Sequence, residues 1–542
     1  MPKIKNIAND YSVPILLISL LFLIKALYLS FCVTPFAAVP DEIGHFAYTQ
    51  DIAYGKGIPV LSPPSTGKSV ISADVMGYVE KTTDSQPAYN WIAQHPPVYY
   101  IIAAIPLKIG SLITDDPDIL YRLPRIVSAL SGALLLLVLF RTFRVIGLDS
   151  SRSTAIAAAI GFIPMVSHLS SGTNHDMSLF LFCALATHFF AKYILSKEIK
   201  DAYQCAIWLA IASGTKMMTP LVLLVPMVFI LILELPRQYR IKHAIWILLI
   251  AMSIPMAWMV RNFIYFGSFF YTSGTDRKPA LEIALKQSFA DYIKSQPVFE
   301  STEHLFYGMF GHMAANPNRV FLEYDVLPRH LRFIGVTVGG VPYDVFSTLL
   351  FFVACACMVY ISMLAWRSSK EKLKFPNSNS LISQANSHLI DCKYKLIPLA
   401  AIIFLACYAA IFVSLTSFNS YIFILFSSIP ISIFLGIVAL PLVFYVTDST
   451  DRIALYGFAI TLFFGSIFLY HIYGAYLEEG ILRAAQGRYF YPVIPLVILS
   501  AAIVLVRLRI SKFIIYTGIA LLACAELSVY IEQAIPFYLQ YY

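Results

Sequence analysis

The 542 residues are 58% hydrophobic and only 13% charged, about half the charged share of a soluble domain, which excludes a soluble globular protein and places most of the chain in lipid. The formal net charge of +8 implies no nucleic-acid partner, because the cations sit in short loops between apolar runs, where membrane orientation accounts for them. The eight cysteines lie mostly inside apolar runs, without metal-ligand spacing, and read as small apolar residues.

Lys3 and Lys5 precede an apolar stretch from Val13 to Cys32. It is longer than a signal-peptide core and is followed by Val33-Thr34-Pro35 rather than a small-residue cleavage site, so it reads as a retained first span. Further runs of spanning length follow at 125–146, 154–172, 176–195, 243–260, 344–366, 396–417, 421–446, 453–474, 490–506 and 513–530, while 203–235 divides into two shorter helices near Gly214 to Pro220. With the first at 12–33, the expectation is an all-α polytopic membrane protein of about thirteen transmembrane helices.

Segment 97–113 opens with Pro96-Pro97 and contains Lys108. Read as an interfacial or partly re-entrant helix, it leaves Arg141, Arg144, Arg152, Lys197, Lys200, Arg237, Arg240, Lys242 and most later cations inside, as the positive-inside rule requires. Read as a span, it puts nearly all of them outside. The expected topology is therefore N-in and C-out, with interfacial helices on the outer face. The expected division is an N-terminal module 1–260 with outer loop 34–124, an outer-face loop region 261–343, and a bundle 344–542 carrying a Ser/Asn/Lys-rich cytoplasmic linker at 367–395.

Polar residues concentrate at the predicted outer ends of spans. Beyond the first span stands Pro40-Asp41-Glu42-Ile43-Gly44-His45-Phe46-Ala47-Tyr48. In a helix Asp41 and His45 share one face, with Tyr48 close by, and two carboxylates beside a histidine suit proton transfer or metal binding. An acidic first turn complementing the helix dipole is the plainer reading. Asn174 and Asp176 fall in Ser171-Gly172-Thr173-Asn174-His175-Asp176, where a simple helix cap competes with an acidic site on the same face as Asp41. Arg483, Gln486, Arg488 and Tyr489 lie in Arg483-Ala484-Ala485-Gln486-Gly487-Arg488-Tyr489, where cations are not expected; Gly487 permits close backbone approach, and a phosphate-bearing headgroup is the natural ligand. His95, Tyr99, Lys216, Arg261 and Asn262 occupy similar membrane-edge positions. So many cations on that face point to a common anionic partner.

Taken in order, these landmarks resemble the GT-C superfamily of multi-span glycosyltransferases, which includes protein O-mannosyltransferases, lipid A aminoarabinose transferases and oligosaccharyltransferases. Pro40-Asp41-Glu42 looks like the first acidic motif, His95-Pro96-Pro97-Val98-Tyr99-Tyr100 like the family's Pro-Pro-aliphatic-Tyr-Tyr helix, and Asp176-Met177 like the second acidic motif. Thr215-Lys216 resembles the outer-loop lysine, and Arg261-Asn262 with Tyr265-Phe266-Gly267 a span exit. Joined to Gln486-Gly487-Arg488-Tyr489, the pattern looks most like an uncharacterised bacterial group of predicted membrane proteins.

The resemblance implies a polyprenyl-phosphate sugar donor, inversion at the anomeric carbon, and a glycan, lipid or protein acceptor on the outer face of the bacterial inner membrane. On that reading Asp41 is the base, supported by Glu42 or His45, and Asp176 positions the acceptor or the base. Lys216, Arg261 and Arg488 neutralise the phosphate, with Tyr48, His95, Tyr99, Asn174, Asn262, Arg483, Gln486 and Tyr489 lining the donor site. No cofactor is demanded, although Asp41, His45 and Asp176 offer ligands for a divalent metal. A transporter or flippase for a lipid-linked or anionic saccharide is the alternative.

Overall fold

A computed structural model describes residues 11–61, 70–272 and 288–296, short pieces between 298 and 367, residues 442–443, 446 and 448–480, and residues 485–539. The expected spans 396–417 and 421–446, most of 344–366, and the linker beyond Arg367 lie outside or almost outside this set. The chain forms two compact units, one of residues 1–327, 467–495 and 519–542, the other of 328–466 and 496–518. The expected C-terminal bundle 344–542 thus contributes two of its segments to the first unit.

That unit opens with α1 (Val13–Tyr28), which widens into a π turn over Leu29–Val33. Shorter elements follow: α2 (Glu42–Ala53), a two-stranded antiparallel pair of β1 (Val70–Ile71) and β2 (Ala88–Tyr89), α3 (Ala73–Glu80) between them, then α4 (Val98–Gly110) and α5 (Pro117–Leu120). Phe36, Phe46, Tyr78 and Tyr121 interlock as their aromatic core. Next come α6 (Arg125–Val145), α7 (Ser150–Gly161), α8 (Pro164–Ser170), α9 (Asp176–Ser196), α10 (Ile199–Ser213), α11 (Met218–Leu233), α12 (Arg240–Phe266) and α13 (Phe289–Ser295). Late helices are α14 (Ser449–Glu479), α15 (Ile494–Arg507), α16 (Lys512–Val529) and α17 (Ile535–Leu539).

Among the described residues six helices are long and apolar enough to cross a membrane, or seven if a bent pair counts as one. That pair is α7 and α8, which meet at 70° where the sequence predicts one continuous span over 154–172. Pro164 explains the break: it carries no amide hydrogen, and it drives Ile163 into extended backbone (φ −81°, ψ 117°). The expected helices around Gly214 to Pro220 are present as α10 and α11. Helix α4 has 13 residues, about 20 Å at 1.5 Å per residue and too short to cross the hydrocarbon core.

Packing between the spans is built on small residues, as expected where lipid removes the hydrophobic drive. The buried stripe of α1 is Ile15, Ser19, Phe22 and Ala26, while Leu16, Leu17, Leu20, Leu21 and Ile24 are exposed where lipid would solvate them. Ser19 donates to the Ala133 carbonyl at 2.8 Å, and a Cβ on Gly132 would stand 2.6 Å from the Phe22 ring. Ser131 and Ser178 join α6 to α9 at 2.8 Å. Lys25 of α1 pairs with Glu526 of α16 at 2.7 Å and also donates to the Gly161 carbonyl at the α7 to α8 break.

Candidate active site

The loop between α1 and α2 is bent by two non-glycine residues in the left-handed region, Ala37 (φ 73°) and Asp41 (φ 61°), a conformation unfavourable for alanine and tolerable for aspartate. A buried ion pair holds it. Glu42 meets Arg125 through two bonds, Nε to Oε1 at 2.8 Å and Nη2 to Oε2 at 2.9 Å, with both side chains fully buried. The backbone amides of Thr173 and Ala37 donate to the same carboxylate at 2.8 and 2.9 Å. Arg125 spends its remaining donors on the carbonyls of Ser30, Thr34 and Pro35. With its oxygens occupied, Glu42 fastens the first acidic motif to α6 and to the loop before α9. Asn174 adds a second tie, donating at 3.0 Å to the carbonyl of Pro40.

Asp41 is thereby presented beside Arg488. Nη2 of Arg488 donates to Asp41 Oδ2 at 3.0 Å, and the indole N–H of Trp91 donates to Oδ1 at 3.2 Å. Arg488 belongs to a single turn of 3-10 helix, Gly487–Phe490. A Cβ on Gly487 would lie 2.0 Å from the Thr302 carbonyl oxygen, so glycine is required for that approach. Gln486 accepts from Arg488 Nε at 2.6 Å. Nη1 of Arg488 is buried without a hydrogen-bond partner, 3.7 Å from Asp176 Oδ2. The Nζ of Lys216 lies 3.1 Å from Asp176 Oδ1 and 4.4 Å above the Tyr489 ring. The amide of Val98 donates to the Gly214 carbonyl, which seats the lysine's loop against the start of α4. Asp41, Asp176, Lys216 and Arg488 thus meet in one cluster of two carboxylates and two cations. Desolvation pushes the Arg488 guanidinium down and the carboxylates of Asp176 and Asp41 push it up, and their attraction outweighs the burial, holding it above its ordinary range.

Behind the cluster lie three buried histidines. The Tyr100 hydroxyl is 2.8 Å from His45 Nδ1 and 2.9 Å from His175 Nδ1. His175 Nε2 lies 3.2 Å from Asp176 Oδ1, and the His45 and His95 rings sit edge-on to His175 at 4.5 and 4.7 Å. A carboxylate can only accept, so His175 donates through Nε2, receives the Tyr100 proton at Nδ1, and leaves Tyr100 to accept from His45 Nδ1–H. Burial is the first cause lowering all three histidines below the ordinary 6.5, aided for His45 and His95 by the neighbouring His175 and opposed for His175 by Asp176. The unfolded chain therefore takes these protons near pH 6.5 and the folded cluster only at lower pH. Between those values the unfolded state holds more protons, so stability present above pH 6.5 is lost as pH falls, by about 1.4 kcal/mol per unit for each histidine. Thermal unfolding from pH 7.5 to 5 is expected to show a falling midpoint, less steep in His95→Gln; a flat profile contradicts the neutral-histidine cluster.

The other sequence candidates are placed as follows. Tyr48 is buried, stacks on Tyr100 at 3.8 Å and donates to the His95 carbonyl. Tyr99 is buried against Ser128 at 3.1 Å. Arg261 donates to the Pro59 carbonyl and covers Trp258 and Tyr265, and Asn262 donates to Phe269 at 3.4 Å; neither pairs with the four charges. Arg483 lies outside the described residues. A metal site from Asp41, His45 and Asp176 is not assembled: each is engaged elsewhere, and no three His, Cys, Asp or Glu among the described residues form a metal-holding group. Sequence reasoning missed Arg125, Trp91, Tyr100 and the bonded role of His175. An arginine opening an otherwise apolar span was the available signal for Arg125.

Residues 94–260 match the family model described as dolichyl-phosphate-mannose-protein mannosyltransferase. The stretch includes His95, Tyr99, Asn174, Asp176 and Lys216, and the resemblance to the GT-C superfamily drawn from the sequence stands on it. No curated protein matches the chain at a significant level. Among solved structures, the protein O-mannosyltransferase Pmt1-Pmt2 complex of S. cerevisiae bound to the sugar donor is 16% identical at a TM-score of 0.35, over 51% of this chain and 36% of that one. The chain therefore spans about a third of that relative. ArnT from Cupriavidus metallidurans is similar in its apo state (12% identity, TM-score 0.34, 90% of this chain and 76% of that) and bound to undecaprenyl phosphate (13%, 0.33, 91% and 77%). TM-scores this low establish no shared chemistry.

Proposed function

We propose, proceeding from the mannosyltransferase-like stretch 94–260, that this membrane protein is a glycosyltransferase moving a sugar from a polyprenyl-phosphate carrier to a hydroxyl of a glycan, lipid or protein. The reaction is assigned to the non-cytoplasmic face of the bacterial inner membrane. The observation that carries the reading is Arg488 held between Asp41 and Asp176, with Lys216 on the second carboxylate. Displacement at an anomeric carbon needs an exposed acceptor for a proton and fixed cations for the phosphate that departs. Asp41, at 36% side-chain exposure, is the more open carboxylate, and Asp176 and Arg488 are buried.

In this mechanism the acceptor oxygen bonds to the anomeric carbon while its proton passes to Asp41. The bond from that carbon to the phosphate oxygen breaks on the opposite face, which inverts the centre. Its electron pair stays on the phosphate, and polyprenyl phosphate leaves with one more negative charge than the donor carried. Arg488 and Lys216 balance that charge. Gln486 and Tyr489 aim the two cations, while His175 and Lys216 hold Asp176. Purified protein in nanodiscs, given a panel of polyprenyl-phosphate sugars with a hydroxyl acceptor, is expected to release polyprenyl phosphate and glycosylate the acceptor. Movement of the intact lipid-linked sugar across a vesicle membrane, with no cleavage, would replace this reading by transport.

A further inference from the structure

Resting on the assignment of Arg488 to the donor phosphate, we propose that Asp41 is the resting counter-ion of the phosphate seat: the lipid phosphate takes Arg488 from Asp41, and that exchange frees the carboxylate for the acceptor hydroxyl. Three features lead to it. The first is a charge count. Asp41, Asp176, Lys216 and Arg488 sum to zero, and an added phosphodiester would bring an uncompensated charge into a buried site unless it substitutes for a carboxylate.

The second is which carboxylate can leave. Asp176 is 5% exposed and tied to Lys216 and His175, whereas Asp41 is 36% exposed and paired with Arg488, so solvent can take over its solvation. Arg488, 4% exposed, already has Nη1 without a hydrogen bond. Releasing Asp41 frees Nη2 beside it, and the two terminal N–H groups together suit two oxygens of one phosphate.

The third is what remains when Arg488 lets go. Oδ1 of Asp41 stays bonded to Trp91 at 3.2 Å, and the backbone behind it is fixed through Pro40 and Asn174. The carboxylate therefore keeps its place with Oδ2 open. Donor binding then precedes activation of the acceptor, and no acceptor is deprotonated at an empty site.

The test is equilibrium binding of undecaprenyl phosphate to the full chain in nanodiscs, with thermal unfolding as the check on folding. Removing the internal competitor is expected to tighten binding, so Asp41→Asn should lower Kd about tenfold. Asp41→Ser serves if the first variant fails to fold. The gain must vanish in an Arg488→Gln background, because the exchange acts through that guanidinium. Equal or weaker binding by the Asp41 variants overturns the proposal, as does a gain that persists without Arg488, which would mark a general charge effect. Sugar transfer, measured separately, reports on Asp41 as base: lost transfer with unchanged lipid affinity removes the exchange and keeps the base.

Discussion

The Asp41→Asn variant is expected to stay folded while its sugar transfer falls by about 10²- to 10⁴-fold, the range over which a positioned general base contributes. Folding is preserved for reasons visible at the residue. Asn tolerates the left-handed backbone that Asp41 adopts (φ 61°), can stand at the start of α2 as an N-cap, and keeps an oxygen for the Trp91 indole. It cannot accept the acceptor's proton. The measurement is transfer from a polyprenyl-phosphate sugar, read beside the thermal midpoint. Near-normal transfer would move the base to Asp176, whose oxygens contact Lys216 and His175 in the resting site.

A second large effect belongs to Arg125, and it falls on stability. In Arg125→Met the Glu42 carboxylate, fully buried in the native pair, loses its counter-ion, and the carbonyls of Ser30, Thr34 and Pro35 lose their donors. Breaking one side of a buried pair costs about 3–5 kcal/mol. Transfer should also fall, because the same arginine fixes the loop that carries Asp41. Replacing both partners, as Arg125→Met with Glu42→Leu, is expected to recover part of the thermal midpoint and little of the transfer. A single variant that melts with the wild type would show that the pair does not hold the loop.

The two acidic motifs and the late Arg-Tyr motif were legible because polar residues at the ends of apolar runs are costly and therefore informative. Their convergence was the expectation drawn from reading 97–113 as a surface helix, and Asp41, Asp176 and Arg488 do meet. What each carboxylate does was not legible. Asp41 and Glu42 are adjacent letters, yet one sits partly open beside Trp91 and Arg488 while the other is closed around Arg125, a difference set by backbone strain and by a partner 83 residues away. The histidine arrangement was hidden for a similar reason: His45, Tyr100 and His175 come from three elements, and only their packing strings them together. The break at Pro164 was readable in principle, but the hydropathy of 154–172 runs across it.

The ion pair between Lys25 and Glu526 joins residues 501 positions apart in the sequence. During synthesis the first span enters the bilayer long before its counter-charge exists. Until α16 emerges, the Gly161 carbonyl is the only one of these two partners available to that ammonium. An unpaired lysine at membrane depth is costly and invites local water or an insertion partner. Pairing of Lys25 with Glu526 therefore has to wait until α16, 501 positions further along the chain, has been made.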